Sequence, residues 1–381
     1  MYSIFPNFNE LHANKRIKFL DINGEFFIYN VKDSLLIPIN NLPKEFLGEV
    51  VKSIVPPVKT LILHTTSKCN FSCGHCYINA GNDSPEEMTS KEQSKIIKEF
   101  GEMGGLWVDL SGGEALLKKG IEDIIFSARE QKLRTFVLTN AGNLDNAQLK
   151  RIAPFIDGMA VSLDGLYDVN DKIRGQGTFI NIVKGLEKIA ENEIELSLTT
   201  LITSRSIPQL LEFPQFMEKY NVKTWSLVMP RPSGRFANNQ EEINKSYELW
   251  DKRKKEGLLN SLHYKTKQRG ILVILDHILV PNIKKKIDEN SDNFVYNLYN
   301  KGRACWDNTL TIMPNGDIKC CLFFDGQIYN NVKKRSLRYI YQSEQRKIAL
   351  AEFKKYPIDK CPFIEKSQLD LFNNKIRGEF K

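Results

Sequence analysis

The sequence predicts an α/β architecture built on a parallel sheet, and three observations carry that prediction. Apolar runs recur at 60–65, 106–110, 135–138, 158–163, 194–202 and 222–228, each the length of a buried strand. Stretches with helical spacing lie between them, as at 90–100, 121–131 and 180–190. The segments rich in cysteine, glycine and polar residues follow the C-terminal ends of the runs, where strand-then-helix sheets collect their chemistry. Six such repeats imply helices outside a parallel sheet. Periodicity alone leaves a closed or partly closed barrel and an open sheet both standing.

Taken in order, residues 1–56 read as a small β-containing extension. Period-two stretches at 16–20 and 25–29 flank Asn23-Gly24, the strongest short signal for a hairpin. Pro56-Pro57 marks a boundary, because neither residue can donate a backbone hydrogen bond. The six repeats occupy 57–235. Residues 236–300 form a helical linker with a strand: 239–255 is charged and helical, and 270–275 is apolar and extended. Residues 301–381 are expected to form a further, partly β unit, with a hairpin at 309–321 turning at Pro314-Asn315-Gly316. The tail from 366 reads as a polar helix or frayed end.

Composition narrows the class. Apolar residues at 41% and charged residues at 26% are ordinary for a soluble globular protein. The richest apolar stretch, 271–280, is short and broken by Asp276 and His277, so no membrane span is expected. Residues 1–10 lack the basic start and apolar run of a signal peptide, which points to a cytoplasmic location. The net charge of +8 comes from scattered lysines without an Arg-rich, aromatic-interleaved stripe, so no nucleic-acid partner is expected. It fits mild attraction for an acidic partner; Lys284-Lys285-Lys286 reads as a solvated run. Seven cysteines in a chain kept among reduced thiols favour metal binding over disulfides.

The spacing of those cysteines is informative. Cys69, Cys73 and Cys76 share one short loop directly after the first barrel run. Three thiolates so placed can ligate three irons of a cubane cluster and leave the fourth iron open. The alternative is a zinc site completed by His75 or by a distant ligand. After the second run comes Ser111-Gly112-Gly113-Glu114, in which the glycines permit close backbone approach and Glu114 adds a carboxylate suited to a cationic amino group. Strand alternation puts Trp107, Asp109 and Ser111 on one face of their strand and Ser162 together with Asp164 in theirs, polar side chains that would face the mouth. His64 and His75 read as packed residues, Asp164 equally as a turn cap, and Arg174 equally as a surface charge.

Together these motifs resemble the radical S-adenosylmethionine (SAM) superfamily. The resemblance lies in the order: Cys-x3-Cys-x2-Cys after run one, Ser-Gly-Gly-Glu after run two, Thr139-Asn140 after run three, Ser162-Leu163-Asp164-Gly165 with Arg174-Gly175 after run four, and 230–235 after run six. It covers residues 58 to 235 and is closest to the peptide-modifying branch. The resemblance implies a partial (β/α)6, TIM-like barrel with a [4Fe-4S] cluster on Cys69, Cys73 and Cys76. It further implies that Gly112, Gly113 and Glu114 meet the amino group of SAM, that Ser162 and Asp164 lie near its ribose, that Arg174 pairs with its carboxylate, and that the backbone through Tyr77 borders the adenine.

Cys305, Cys320, Cys321 and Cys361 form a second group. Cys305, Gly316 and Cys321 fit Cys-x10-Gly-x4-Cys, which resembles the start of the SPASM and twitch extensions carrying auxiliary iron-sulfur clusters, with Cys361 as a later ligand. The seven-cysteine SPASM set is incomplete here, so the shorter twitch type and an auxiliary [4Fe-4S] cluster are expected at 301–381. A structural zinc is the alternative. Adjacent strand residues point to opposite faces, so one of Cys320 and Cys321 is left over; if it is Cys320, it is a small buried hydrophobe or a hydrogen-atom donor.

The function so implied is radical modification of a ribosomally made precursor peptide, as a thioether or carbon-carbon crosslink. An acidic leader, a one-electron donor protein and a separate leader-binding protein are the partners this would use. Epimerisation through Cys320, dehydrogenation of a small molecule or protein side chain, and a non-catalytic metal-binding peptide carrier are the competing readings.

Overall fold

The computed structural model describes residues 60–275 except 83, 309–319 and 330–347, together with the backbone of three N-terminal strands. Those strands, β1 (Ile17–Ile22), β2 (Glu25–Asn30) and β3 (Leu35–Pro38), make an antiparallel sheet in that order. Ile22 pairs with Glu25 across the Asn23-Gly24 position, as the turn signal requires. The third strand carries no comparable turn motif in the sequence.

The main body follows the predicted alternation. Its strands and principal helices are β4 (Thr60–His64), α1 (Ser90–Glu102), β5 (Trp107–Ser111), α2 (Ile121–Glu130), β6 (Arg134–Thr139), α3 (Asn146–Ile152), β7 (Gly158–Ser162), α4 (Asp168–Arg174), α5 (Thr178–Glu191), β8 (Leu196–Leu201), α6 (Phe213–Glu218) and β9 (Thr224–Val228). The helices start where local chemistry allows. Thr89 caps α1 by accepting from the Glu92 amide, and Glu92 reaches back to the Thr89 amide, a reciprocal capping box. The helix then buries Gln93, Ile96, Ile97 and Phe100, one face of a 3.6-residue period.

Strands β4 to β9 pair in parallel and in chain order. Their side chains divide by period two. Leu61, Leu63, Val108, Leu110, Val137, Met159, Val161, Leu198, Trp225 and Leu227 are fully buried under the helices. Much of the alternate row, including Thr60, Ile62, Trp107, Asp109, Leu138, Ser162, Thr199 and Ser226, is half-buried and mostly polar, while His64, Ser111, Phe136 and Ser197 in the same row are buried. A sheet covered by helices on both faces would be apolar on both. One polar, half-exposed face is what the concave side of a partial barrel presents, and the TIM-like reading follows.

Beyond β9 come α7 (Gln240–Lys255), α8 (Leu258–Lys267) and β10 (Leu272–Leu275). Strand β10 pairs in parallel with β9, and β11 (Thr309–Ile312) pairs in parallel with β4, followed by its hairpin partner β12 (Ile318–Lys319). The described strands of the C-terminal half therefore extend the barrel sheet at both ends, giving the order β10-β9-β8-β7-β6-β5-β4-β11-β12. The last described helix, α9 (Leu337–Gln342), meets α1 where the Arg338 amide donates to Glu99. Cys305, Cys320, Cys321 and Cys361, on which the twitch-like unit and auxiliary cluster depend, lie outside the described residues.

At the N-terminal ends of the strands the lumen has a floor. Trp107 stacks on Phe136 with centroids 5.0 Å apart, and the Arg134 guanidinium lies 4.7 Å over Trp107 and 5.2 Å over Phe136. The open end is the opposite one, where the motif loops emerge.

Candidate metal and cofactor site

The cysteine loop leaves the end of β4 and is held by its own backbone. The Cys69 amide donates to Gly81 O at 2.8 Å, the Gly81 amide to Ser67 O at 2.8 Å, and the Cys76 amide to Cys73 O at 3.2 Å. All three cysteines are free thiols, with Cys73 buried. Two of the sulfurs accept backbone N–H groups, Cys69 Sγ from Phe71 at 3.4 Å and Cys76 Sγ from Ala80 at 3.3 Å. Asn140 Nδ2 adds a contact to Cys69 Sγ at 3.7 Å. Burial pushes the Cys69 and Cys73 thiols up, although the Phe71 amide acts against it at Cys69 and Arg174 against it at Cys73. Thiols so raised stay protonated at neutral pH until a metal displaces the proton.

These donors fit an iron-sulfur cluster. N–H groups aimed at sulfur stabilise thiolate ligands and tune cluster potential. Among the described residues no three His, Cys, Asp or Glu side chains form a group able to hold a single metal ion. A structural zinc takes four donors around one ion, whereas a cubane takes each thiolate on a different iron and needs only these three cysteines. His75, the zinc ligand considered from the sequence, instead sets Nε2 3.2 Å from Asp164 Oδ2.

The Gly112-Gly113-Glu114 turn packs directly on this loop. The Gly113 amide donates to Thr66 O at 2.7 Å and the Glu114 amide to Lys68 O at 2.8 Å. A Cβ on Gly113 would sit 2.2 Å from Lys68 O, and one on Gly112 2.6 Å from Thr66 O. The close approach these glycines permit is therefore first of all to the backbone that carries Cys69. Glu114 is buried, accepts from Thr139 Oγ1 at 2.8 Å and from the Asn140 amide at 2.7 Å, and is pushed up by burial against those bonds. It thereby orients Asn140, whose side-chain amide donates to Asn70 Oδ1 at 2.8 Å. Thr139-Asn140, predicted only as a motif, forms the link from Glu114 to the cysteine loop.

Across the mouth, Asp164 follows β7 and is buried. Its Oδ2 lies 2.7 Å from Arg174 Nε, and its Oδ1 accepts from the Leu201 amide at 2.8 Å. The Asp164 amide is itself fixed by Asn170 Oδ1 at 3.1 Å. Burial lowers His75 to about 4, outweighing the pull of Asp164, so the imidazole is neutral near pH 7. Ser162 ends β7 in the half-buried lumen row. Tyr77 follows Cys76; its ring meets His64 edge-on at 5.8 Å, and burial raises its phenol despite a hydrogen bond with Ser111. The structure thus gathers Cys69, Cys73, Cys76, Glu114 and Arg174 around one loop, with Asp164 joined to them through Arg174 and His75.

Four contributions go beyond the sequence reading, which places Asp109 beside Trp107 on one strand face and His64 among packed residues. Glu87 accepts from Thr66 Oγ1 at 2.9 Å and from the Ser67 amide at 2.6 Å, bracing the start of the loop. Ser233, Gly234 and Arg235 grip its far side: Ser233 Oγ donates to Tyr77 O at 3.1 Å and the Arg235 amide to Cys76 O at 2.9 Å. Asp109 accepts from Trp107 Nε1 at 2.6 Å, and burial raises it to about 6. His64 is wholly buried with neither ring nitrogen hydrogen-bonded among the described residues, and burial lowers it to about 3. Ser233–Arg235 lie within the motif after run six, and nothing in that motif indicates a grip; Glu87 carries no signal.

Comparison with known proteins finds relatives in sequence and in fold. Residues 63–213 match the radical SAM superfamily. Fe-coproporphyrin III synthase of Methanosarcina barkeri is 24% identical over 74% of this chain and 73% of its own. Mycofactocin maturase MftC of Mycobacterium tuberculosis is 30% identical over 49% of each chain, so the match spans about half its length. Among solved structures, Streptococcus suis SuiB shares the fold with a TM-score of 0.69 at 17% identity, covering 89% of this chain and 90% of that one. No helix of the described residues is long and apolar enough to cross a membrane.

Proposed function

The chain belongs to the radical SAM superfamily, and from that premise we propose that it modifies a ribosomally synthesised precursor peptide by radical chemistry. When bound, the cluster and SAM supply an electron and a 5′-deoxyadenosyl radical able to remove a hydrogen atom from a substrate. Cys69, Cys73 and Cys76 would hold that cluster. Gly112, Gly113, Glu114, Ser162, Asp164, Arg174 and Tyr77 would line the SAM pocket, and the half-buried polar row of the barrel would receive the substrate above the Trp107–Phe136 floor.

The observation that carries the radical half is the cysteine loop packed on Gly113 and Glu114, with backbone N–H groups on two of its sulfurs. The peptide half is supported by similarity to mycofactocin maturases and by the fold shared with SuiB, which has been solved with its precursor peptide SuiA. The product proposed is a thioether or carbon-carbon crosslink, with Cys305, Cys321 and Cys361 on an auxiliary cluster. Epimerisation with Cys320 as hydrogen donor belongs to the same proposal as its competing outcome.

Anaerobic reconstitution with SAM, a reductant and a short peptide encoded beside this chain's gene tests it. A crosslink lowers the peptide mass by two hydrogens, and epimerisation leaves it unchanged with one inverted residue. SAM cleavage with neither change would sink the peptide reading. A second reading, radical chemistry that forms an iron tetrapyrrole, is favoured by the longer match to Fe-coproporphyrin III synthase. It predicts that Fe-coproporphyrin III binds with a shifted Soret band, which a dedicated peptide maturase would not show.

A further inference from the structure

Strands β4 and β9 are the first and last of the six barrel strands, and β5, β6, β7 and β8 stand between them in the sheet. No strand pairing joins them among the described residues. They are nevertheless joined at the mouth, through the segment that follows β9. Ser233 is buried and donates to Tyr77 O; the Arg235 amide donates to Cys76 O; Arg235 Nε donates to Cys73 O at 2.8 Å and its Nη1 to Ala80 O at 2.6 Å. Four carbonyls of the ligand loop, at 73, 76, 77 and 80, thereby accept from two residues of one turn, Ser233 and Arg235, more than 150 positions away. Gly234 is what lets the segment come so close. It adopts φ +56, and a Cβ there would sit 2.2 Å from Cys76 O.

The loop's polarity follows. Ser233 and Arg235 bond those carbonyls from outside, in addition to the bonds Cys73 O and Cys76 O accept within the loop, and the Ala80 amide is left for sulfur at 3.3 Å from Cys76 Sγ. Arg235 grips the carbonyl of the same residue whose N–H reaches that sulfur. Arg174 also acts on Cys73, but its charge is answered by Asp164. Arg235 has no carboxylate partner among the described residues, and it is exposed, so its charge is screened by water and its bonding geometry is the larger effect. A planar fork can span two carbonyls where an ammonium cannot.

We propose that Ser233, Gly234 and Arg235 form a positioning clamp that closes the barrel mouth from β9 to β4 and holds the ligand loop in its N–H-to-sulfur arrangement, so that the reduction potential of the cluster depends on Arg235. The proposal rests on the reading that Cys69, Cys73 and Cys76 carry a cluster. Losing the clamp loosens the Ala80 amide from Cys76 Sγ. A weaker hydrogen bond to sulfur makes the cluster harder to reduce.

The test uses the full-length chain, reconstituted anaerobically with iron and sulfide, as wild type, Arg235→Gln, Arg235→Lys and Gly234→Ala. Iron content, the midpoint potential followed by EPR, and the half-life of the cluster in air are measured, with the melting temperature of each variant as a folding control. Arg235→Gln is expected to move the potential negative by about tenfold in electron affinity, ~59 mV for a one-electron couple. Its cluster half-life is expected to shorten. Arg235→Lys is expected to follow Arg235→Gln, because it keeps the charge and loses the two-carbonyl span. Gly234→Ala is expected to take up less iron; should it fail to fold, the Arg235 pair decides alone. Wild-type potential and half-life in both Arg235 variants would overturn the clamp. A shift in Arg235→Gln with none in Arg235→Lys would overturn it in favour of simple charge. A wild-type chain that binds no cluster would bring down the superfamily reading itself, and the clamp with it.

Discussion

At Gly113 the turn after β5 and the cysteine loop touch through bare backbone, and a single added methyl group has nowhere to go. Gly113→Ala is expected to cost about 1–3 kcal/mol by overpacking and to lower the iron bound after reconstitution, since the loop it displaces carries Cys69. Denaturant melts and an iron assay check both; an unchanged iron content would separate the glycine from the site. Asp109 offers a pH-dependent case. Burial raises its carboxyl from 3.8 to about 6 in the fold, so between those values the folded state holds more protons than the unfolded chain and stability falls as pH rises. Asp109→Asn removes that loss while leaving an acceptor for Trp107. Its stability relative to the wild type is expected to rise between about pH 4 and 6 and then level off; a flat difference across that range would refute the assignment. The cysteine triplet was legible because its ligands are neighbours in sequence. The partners of Arg235 were not, because hydrogen bonds to carbonyls 155 to 162 residues away leave no spacing to read.

The elements themselves follow from local chemistry. Helix α1 begins at Ser90 because Thr89 and Glu92 satisfy each other's orphan amides. Thr89→Ala is expected to destabilise the protein by about 1 kcal/mol, measured as a shift of the urea midpoint at constant slope. Since the cap lies on the outer layer, cluster content is expected to stay at the wild-type level. The six barrel strands were legible to within one or two residues, since alternation of buried apolar with half-buried polar side chains is a property of each strand alone. The places of β10 and β11 were not. Each reads as a short apolar segment in a chain region of different composition, and only pairing to β9 and to β4 makes them part of the same sheet. Edge pairing is decided by which backbone is left unpaired elsewhere, and that information is spread over the whole fold.

At the scale of the whole molecule, the sheet extensions bear on how the two cysteine groups could communicate. Strand β11 lies against β4, whose end launches the Cys69–Cys76 loop, and β12 runs to Lys319, directly before Cys320. The proposed auxiliary ligands Cys305 and Cys321 therefore flank, in sequence, a hairpin seated beside the first barrel strand. An auxiliary cluster held there would be anchored to the same sheet as the SAM-binding cluster and not carried on a loosely tethered module. This leads to a count. Two cubanes give about eight irons per reconstituted chain and one gives about four. Removing Cys305, Cys321 and Cys361 together is expected to halve the iron while leaving SAM cleavage measurable, because the barrel loop retains its own three ligands. Removing Cys69, Cys73 and Cys76 is expected to abolish SAM cleavage and leave the other half of the iron in place. Iron that stays at about four in both the wild type and the Cys305/Cys321/Cys361 variant would eliminate the auxiliary cluster. Crosslinking would then have to dispose of its second electron by another route, and epimerisation, which returns a hydrogen atom and releases no net electron, would become the better account.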